Sequence, residues 1–95
     1  LGKDVTALIS VAIDHPQFND GFVAAVKDNR HIAECLYIAG EFDYFLKVVT
    51  DNTKTLESVL NEIKSIPGVS KTQTSIVLSS PKNEYSVPIK AKKEK

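Results

Sequence analysis

The chain has 95 residues, close to the commonest domain size, so it holds a single core and leaves much of its surface exposed. Its 42% hydrophobic and 25% charged content is that of an ordinary globular protein, and twelve basic residues balance twelve acidic ones, which excludes a net field drawing it onto nucleic acid or an anionic membrane. One cysteine excludes an intramolecular disulfide and points to a reducing, cytoplasmic setting, and no apolar run approaches the roughly 18 residues of a membrane span.

The sequence opens on Leu1 and contains no methionine, so the expectation is a processed or truncated piece of a longer protein. Val5 to Ile13 alternates: Val5, Ala7, Ile9, Val11 and Ile13 share one face, and Thr6, Leu8, Ser10 and Ala12 the other. That is a strand with one strongly apolar and one half-apolar face. Asp14-His15-Pro16 ends it, because proline cannot continue the ladder and biases His15 away from helix. From Phe18 to Asn29 the period becomes helical through Phe18, Phe22, Ala25, Val26 and Asn29, with Asn19 or Asp20 as the expected cap.

A hairpin follows. In its first strand Ile32, Leu36 and Ile38 are expected on one face with Glu34, and Ala33, Cys35, Tyr37 and Ala39 on the other. In its second strand, Tyr44 to Thr50, Tyr44, Leu46 and Val48 oppose Phe45, Lys47 and Val49. The connecting loop Gly40-Glu41-Phe42-Asp43 combines a residue that takes positive φ at little cost with an aspartate that hydrogen-bonds turn backbone. It carries two carboxylates and presents backbone N–H groups, which reads as a binding loop at the tip of a sheet rather than a catalytic apparatus.

Asp51-Asn52-Thr53 are capping residues for a helix whose apolar stripe is Leu56, Val59, Leu60, Ile63 and Ile66. Pro67-Gly68 stops it. Val69 to Leu78 is the fourth strand, with Thr72, Thr74, Ile76 and Leu78 on one face. The domain is expected over 1–80, followed by a tail at 81–95 in which Tyr85-Ser86-Val87-Pro88-Ile89 adds an edge strand, since Pro88 has no place inside a sheet.

The order β-α-β-β-α-β is the split βαβ, ferredoxin-like α+β arrangement: a four-stranded antiparallel sheet with both helices on one face. The other face then leaves Leu8, Ala12 and the second apolar set of the hairpin in water, a patch that marks an interaction surface. Burial at roughly 25 cal/mol per Å² favours sheet-against-sheet self-association, and at least a dimer is expected.

Glu34-Cys35-Leu36-Tyr37-Ile38-Ala39-Gly40-Glu41-Phe42-Asp43-Tyr44-Phe45-Leu46-Lys47, with Ile66-Pro67-Gly68-Val69 and Thr72-Gln73-Thr74, closely resembles the C-terminal effector-binding (RAM) domain of the Lrp/AsnC, or feast/famine, transcription regulators. The resemblance runs over nearly the whole chain. It implies a dimeric α/β-barrel type of association, dimers that assemble into tetramers or octamers, and an amino-acid effector bound between dimers. It further implies that Gly40, Glu41, Phe42, Asp43, Tyr44, Thr72, Gln73 and Thr74 form the effector site, with N–H groups near Gly40 and Glu41 on a carboxylate. On the same basis Asp43 shapes the loop or meets the ammonium group. DNA would be contacted only through a helix-turn-helix domain preceding Leu1.

The remaining candidates are blander. Cys35 reads as a small buried hydrophobe, His15 and His31 stand apart without a cysteine or histidine cluster, and no metal, cofactor or membrane partner is expected. The lysines of the tail read as solvated. An enzyme on this scaffold is disfavoured, since no catalytic set presents itself and the only arginine, Arg30, lies just before the second strand rather than in a phosphate-cradling loop. An RNA-binding sheet lacks stacking aromatics in Val5 to Ile13. The alternative kept beside the sensor is an ACT-like amino-acid-binding module.

Overall fold

A computed structural model describes residues 4–82. The elements run β1 (Val5–Ile13), a 3-10 turn (Pro16–Phe18), α1 (Asn19–Lys27), β2 (Ile32–Tyr37), β3 (Tyr44–Thr50), α2 (Thr53–Lys64) and β4 (Val69–Ile76). The four strands form one antiparallel sheet in the order β2-β3-β1-β4, so the expected ferredoxin-like arrangement is present. The expected edge strand at 85–89 lies outside the described residues.

The alternation of β1 and β3 positions the core. Ala7, Ile9 and Val11 of β1 and Tyr44, Leu46 and Val48 of β3 are buried on one face. They pack against Phe22 and Val26 of α1 and Leu56, Val59 and Ile63 of α2, which places both helices on that face. Each valine, leucine or isoleucine among them stabilises the fold by about 1.5–3 kcal/mol when fully buried. Their alternates Leu8, Ala12, Phe45 and Val49 lie on the opposite face, with no helix over them among the described residues, and are half-buried. Leu36, directly opposite Phe45, adds a side chain that is 50% exposed.

α2 forms as its sequence dictates. The Asn52 side chain accepts a hydrogen bond from the Thr55 N–H at 2.8 Å, a cap worth about 1 kcal/mol. α1 departs from expectation at its start. Neither Asn19 nor Asp20 caps it; both lie inside the first turn, and the preceding Phe18 makes no side-chain cap. Pro16 begins a 3-10 turn that runs directly into the helix, and the Asn19 N–H bonds to the Pro16 carbonyl. The first helical N–H is thus satisfied without a side chain.

β2 also differs. Ile32 pairs with Val48, but Glu34 pairs with Lys47, so Ala33 is an extra residue bulged out of the ladder. The bulge reverses parity: Ile32 joins Cys35 and Tyr37 on the helix side, while Glu34 and Leu36 remain opposite the open-face residues Lys47 and Phe45. Strict alternation had put Ile32 with Leu36. Burial pushes the Cys35 thiol above its ordinary range, in keeping with a packed rather than reactive cysteine.

Two features tie the sheet end together. The Asp14 N–H bonds to the Gly68 carbonyl at 2.8 Å, joining the exit of β1 to the turn before β4. Gly68 has φ 94°, and a Cβ there would overlap the Phe18 side chain. Tyr44 stacks between Phe22 and Tyr37, with centroids 4.7 and 5.2 Å away. Burial pushes its phenol above the ordinary value of 10.0, with Tyr37, Cys35, Asp43 and Asp20 adding to the effect.

Gly68→Ala is expected to destabilise the domain by at least about 2 kcal/mol in urea denaturation, since it combines a left-handed backbone with a clash. The unfolded chain releases the Tyr44 proton near pH 10 while the folded chain retains it. Stability is therefore unaffected below that pH and falls as pH rises past it, and Tyr44→Phe should remove that loss from the pH profile of unfolding.

Candidate functional site

The β2–β3 loop is held by one residue used three ways. The Asp43 carbonyl accepts the Ile38 N–H at 2.9 Å, closing the loop on itself. The Asp43 N–H donates to the Val11 carbonyl at 2.9 Å, and an Asp43 carboxylate oxygen accepts the Ile13 N–H at 2.7 Å. The last contact has a physical cause. The regular β1–β3 pairing ends at Val11 opposite Tyr44, so the next N–H on that edge of β1, that of Ile13, has no ladder partner and the carboxylate supplies an acceptor. Asp43 therefore shapes the loop by stapling it to the end of β1.

With Asp43 fixed, the tip is presented. Gly40 has φ 155°. The backbone N–H groups of Gly40, Glu41 and Phe42 donate to no acceptor among the described residues, so consecutive donors stand free at the loop tip. The Glu41 carboxylate is exposed and lies 3.3 Å from the Lys71 ammonium, which also sits 5.0 Å from the centre of the Phe42 ring. Lys71 belongs to β4, so the loop reaches across the end of β1 to the neighbouring strand.

The register sorts the β4 candidates. Thr72 and Thr74 lie opposite Val11 and Ile9, on the helix side; Gln73 lies opposite Ser10, on the open side. Lys71, opposite Ala12, shares the open side with Gln73. The three candidates Thr72, Gln73 and Thr74 thus divide between two faces, and only Gln73 shares a face with the residue that touches the loop. Tyr44 is 4% exposed inside the aromatic stack and paired with both Val11 and Tyr37, so its ring is not presented to a ligand within this chain. Lys71 was not singled out in the sequence. The period of two along β4 puts Lys71 on the face of Gln73, but its place beside the loop comes from the register opposite Ala12.

On the helix side of Asp43 a small cleft of about 130 Å³ is lined by Ile13, His15, Pro16, Asn19, Tyr37 and Asp43. Two larger grooves, of about 490 and 380 Å³, lie between α1 and α2 and touch no residue of the loop. Free N–H donors, an ammonium and an exposed carboxylate within one loop and its neighbour are the complement of a small zwitterion. They include no nucleophile beside a base.

A family model described as the Lrp/AsnC ligand binding domain matches residues 6–87. Among curated relatives, the proline dehydrogenase transcriptional activator of Rhizobium radiobacter is 39% identical over 85 residues, which is 86% of this chain and 54% of that protein. Among solved structures, a transcriptional regulator from Neisseria meningitidis in complex with L-methionine aligns with TM-score 0.78 and 29% identity, covering 88% of this chain and 56% of that one. AsnC of E. coli aligns with TM-score 0.79 and 26% identity, covering 86% and 56%. The chain thus spans a little over half the length of these proteins.

Asp43→Ala leaves the Ile13 N–H without its acceptor, which should lower the unfolding free energy by about 1–3 kcal/mol in urea denaturation. Asp43→Asn keeps an oxygen at that position and should retain most of the stability. Equal losses in both variants would show that the charge, not the acceptor, holds the loop.

Proposed function

The chain belongs to the Lrp/AsnC ligand binding domain family, and from that membership we propose that it is the part of a transcriptional regulator that senses an amino acid and holds copies of the protein together. The observation that carries this reading is the loop Gly40–Asp43, stapled to β1 through Asp43 with its tip N–H groups unpaired. Such donors, fixed before the ligand arrives, suit a carboxylate, because little ordering remains to be done on binding. The Neisseria relative solved with L-methionine supports an amino acid as the ligand class.

Assembly follows from the bare sheet face. Leu8, Phe45, Leu36 and Val49 find cover when a second copy packs its own open face against them, giving a dimeric α/β barrel. Dimers then associate further, and the loop tip lies at the seam, where a ligand contacts two dimers. A ligand that binds one arrangement better than another shifts assembly, which is how occupancy reaches DNA through the rest of the regulator. The relatives are regulators, and the reading is a cytoplasmic binding module without catalysis of its own.

Calorimetric titration with the twenty L-amino acids is expected to give saturable binding for one or a few. Amide NMR shifts should concentrate at Gly40, Glu41 and Phe42. Absence of binding across the set, or shifts confined to the grooves between α1 and α2, would contradict the reading.

A further inference from the structure

Lys71 lies outside the set of residues that sequence reasoning assigned to the site, yet it is the side chain through which β4 meets the loop. Its ammonium is 3.3 Å from the Glu41 carboxylate and 5.0 Å from the Phe42 ring centre. Its Cα is fixed by the ladder opposite Ala12, one residue from the Ile13 that Asp43 staples. The same backbone contacts that set the loop therefore set the distance from Lys71 to the free N–H groups of Gly40, Glu41 and Phe42.

We propose that Lys71 determines which ligands this site accepts: its ammonium, held in the free chain between Glu41 and Phe42, is the group that a ligand's free carboxylate captures. The Glu41 carboxylate released by that exchange is left to the ligand's ammonium. This rests on the amino-acid reading above and deepens it, because it makes the site selective for molecules with both charges unblocked.

Three observations support the exchange. The side chains of Lys71 and Glu41 are 55% and 75% exposed, and a pair so placed contributes little net stability, so a second carboxylate replaces Glu41 at small cost. An ammonium has three donors, so Lys71 meets a ligand carboxylate without leaving the face of Phe42. A carboxylate seated between that ammonium and the loop N–H groups gains charge-assisted hydrogen bonds that a carboxamide does not. Because the attraction acts between solvent-exposed charges, salt screens it over about 8–10 Å, and affinity should fall as NaCl is raised.

The test titrates the tightest-binding L-amino acid and its carboxamide into the wild-type chain, Lys71→Met and Lys71→Arg, at low and high NaCl. The wild type is expected to prefer the free acid by about ten-fold or more. Lys71→Met should weaken the acid by about ten-fold, leave the carboxamide within about two-fold and lose the salt dependence; Lys71→Arg should restore the preference. If Lys71→Met leaves acid affinity unchanged, or weakens acid and carboxamide alike as a loop support would, the inference is overturned while the amino-acid reading stands. If the wild type binds no amino acid, both are overturned.

Discussion

Two helices cover one face of a sheet whose central strands are apolar on that face and half apolar on the other. That asymmetry is the constraint on which the rest depends. On the helix side, β1 and β3 contribute Ala7, Ile9, Val11, Tyr44, Leu46 and Val48 to a closed core. On the other side the same strands carry Leu8, Ala12, Phe45 and Val49 with no helix or strand of the described residues over them. A chain of 95 residues has no further layer to spare within the described residues, and at about 25 cal/mol per Å² the exposed area favours association. The proposed self-association uses this open face.

The loop Gly40–Asp43 is a consequence of how the sheet ends. Regular pairing of β1 with β3 stops at Val11, Asp43 accepts the Ile13 N–H beyond it, and the chain between Ile38 and Asp43 is left as a closed tip with unpaired N–H groups. Gly68 and Phe18 pack at the same end, so the exit of β1, the start of β4 and the loop form one connected region. Rigidity of the staple and openness of the tip are two aspects of one arrangement. The staple uses polar groups inside the chain; the tip leaves its own for a partner.

Most of the architecture was legible because its periods are regular. The alternation of Val5–Ile13 and Tyr44–Thr50 assigned faces correctly, and the stripe Leu56, Val59, Ile63 located α2 and its buried side. What was not legible sits where regularity breaks. The Ala33 bulge reverses the face of Ile32, and a strict period of two has no means of showing it. The start of α1 was misread because a 3-10 turn satisfied the first N–H in place of a capping side chain. In the candidate site the loop residues came from turn chemistry and resemblance together, and the structure gives each a distinct place. Tyr44 shows the tension between the two sources: alternation groups it with Leu46 and Val48, while resemblance groups it with the ligand contacts. Lys71 was missed because a lysine on an exposed edge strand is usually a solvated one, and only the register places it beside Glu41 and Phe42.

The most direct measurement of the central claim is sedimentation equilibrium of this chain over a micromolar concentration range, without added ligand. A protomer mass is 10.4 kDa. Covering the bare face with a second copy predicts a mass of at least twice that value across the range. A constant mass of one protomer, independent of concentration, would contradict it, for the sheet would then stand in water on the side where the assembly and its ligand seam are placed.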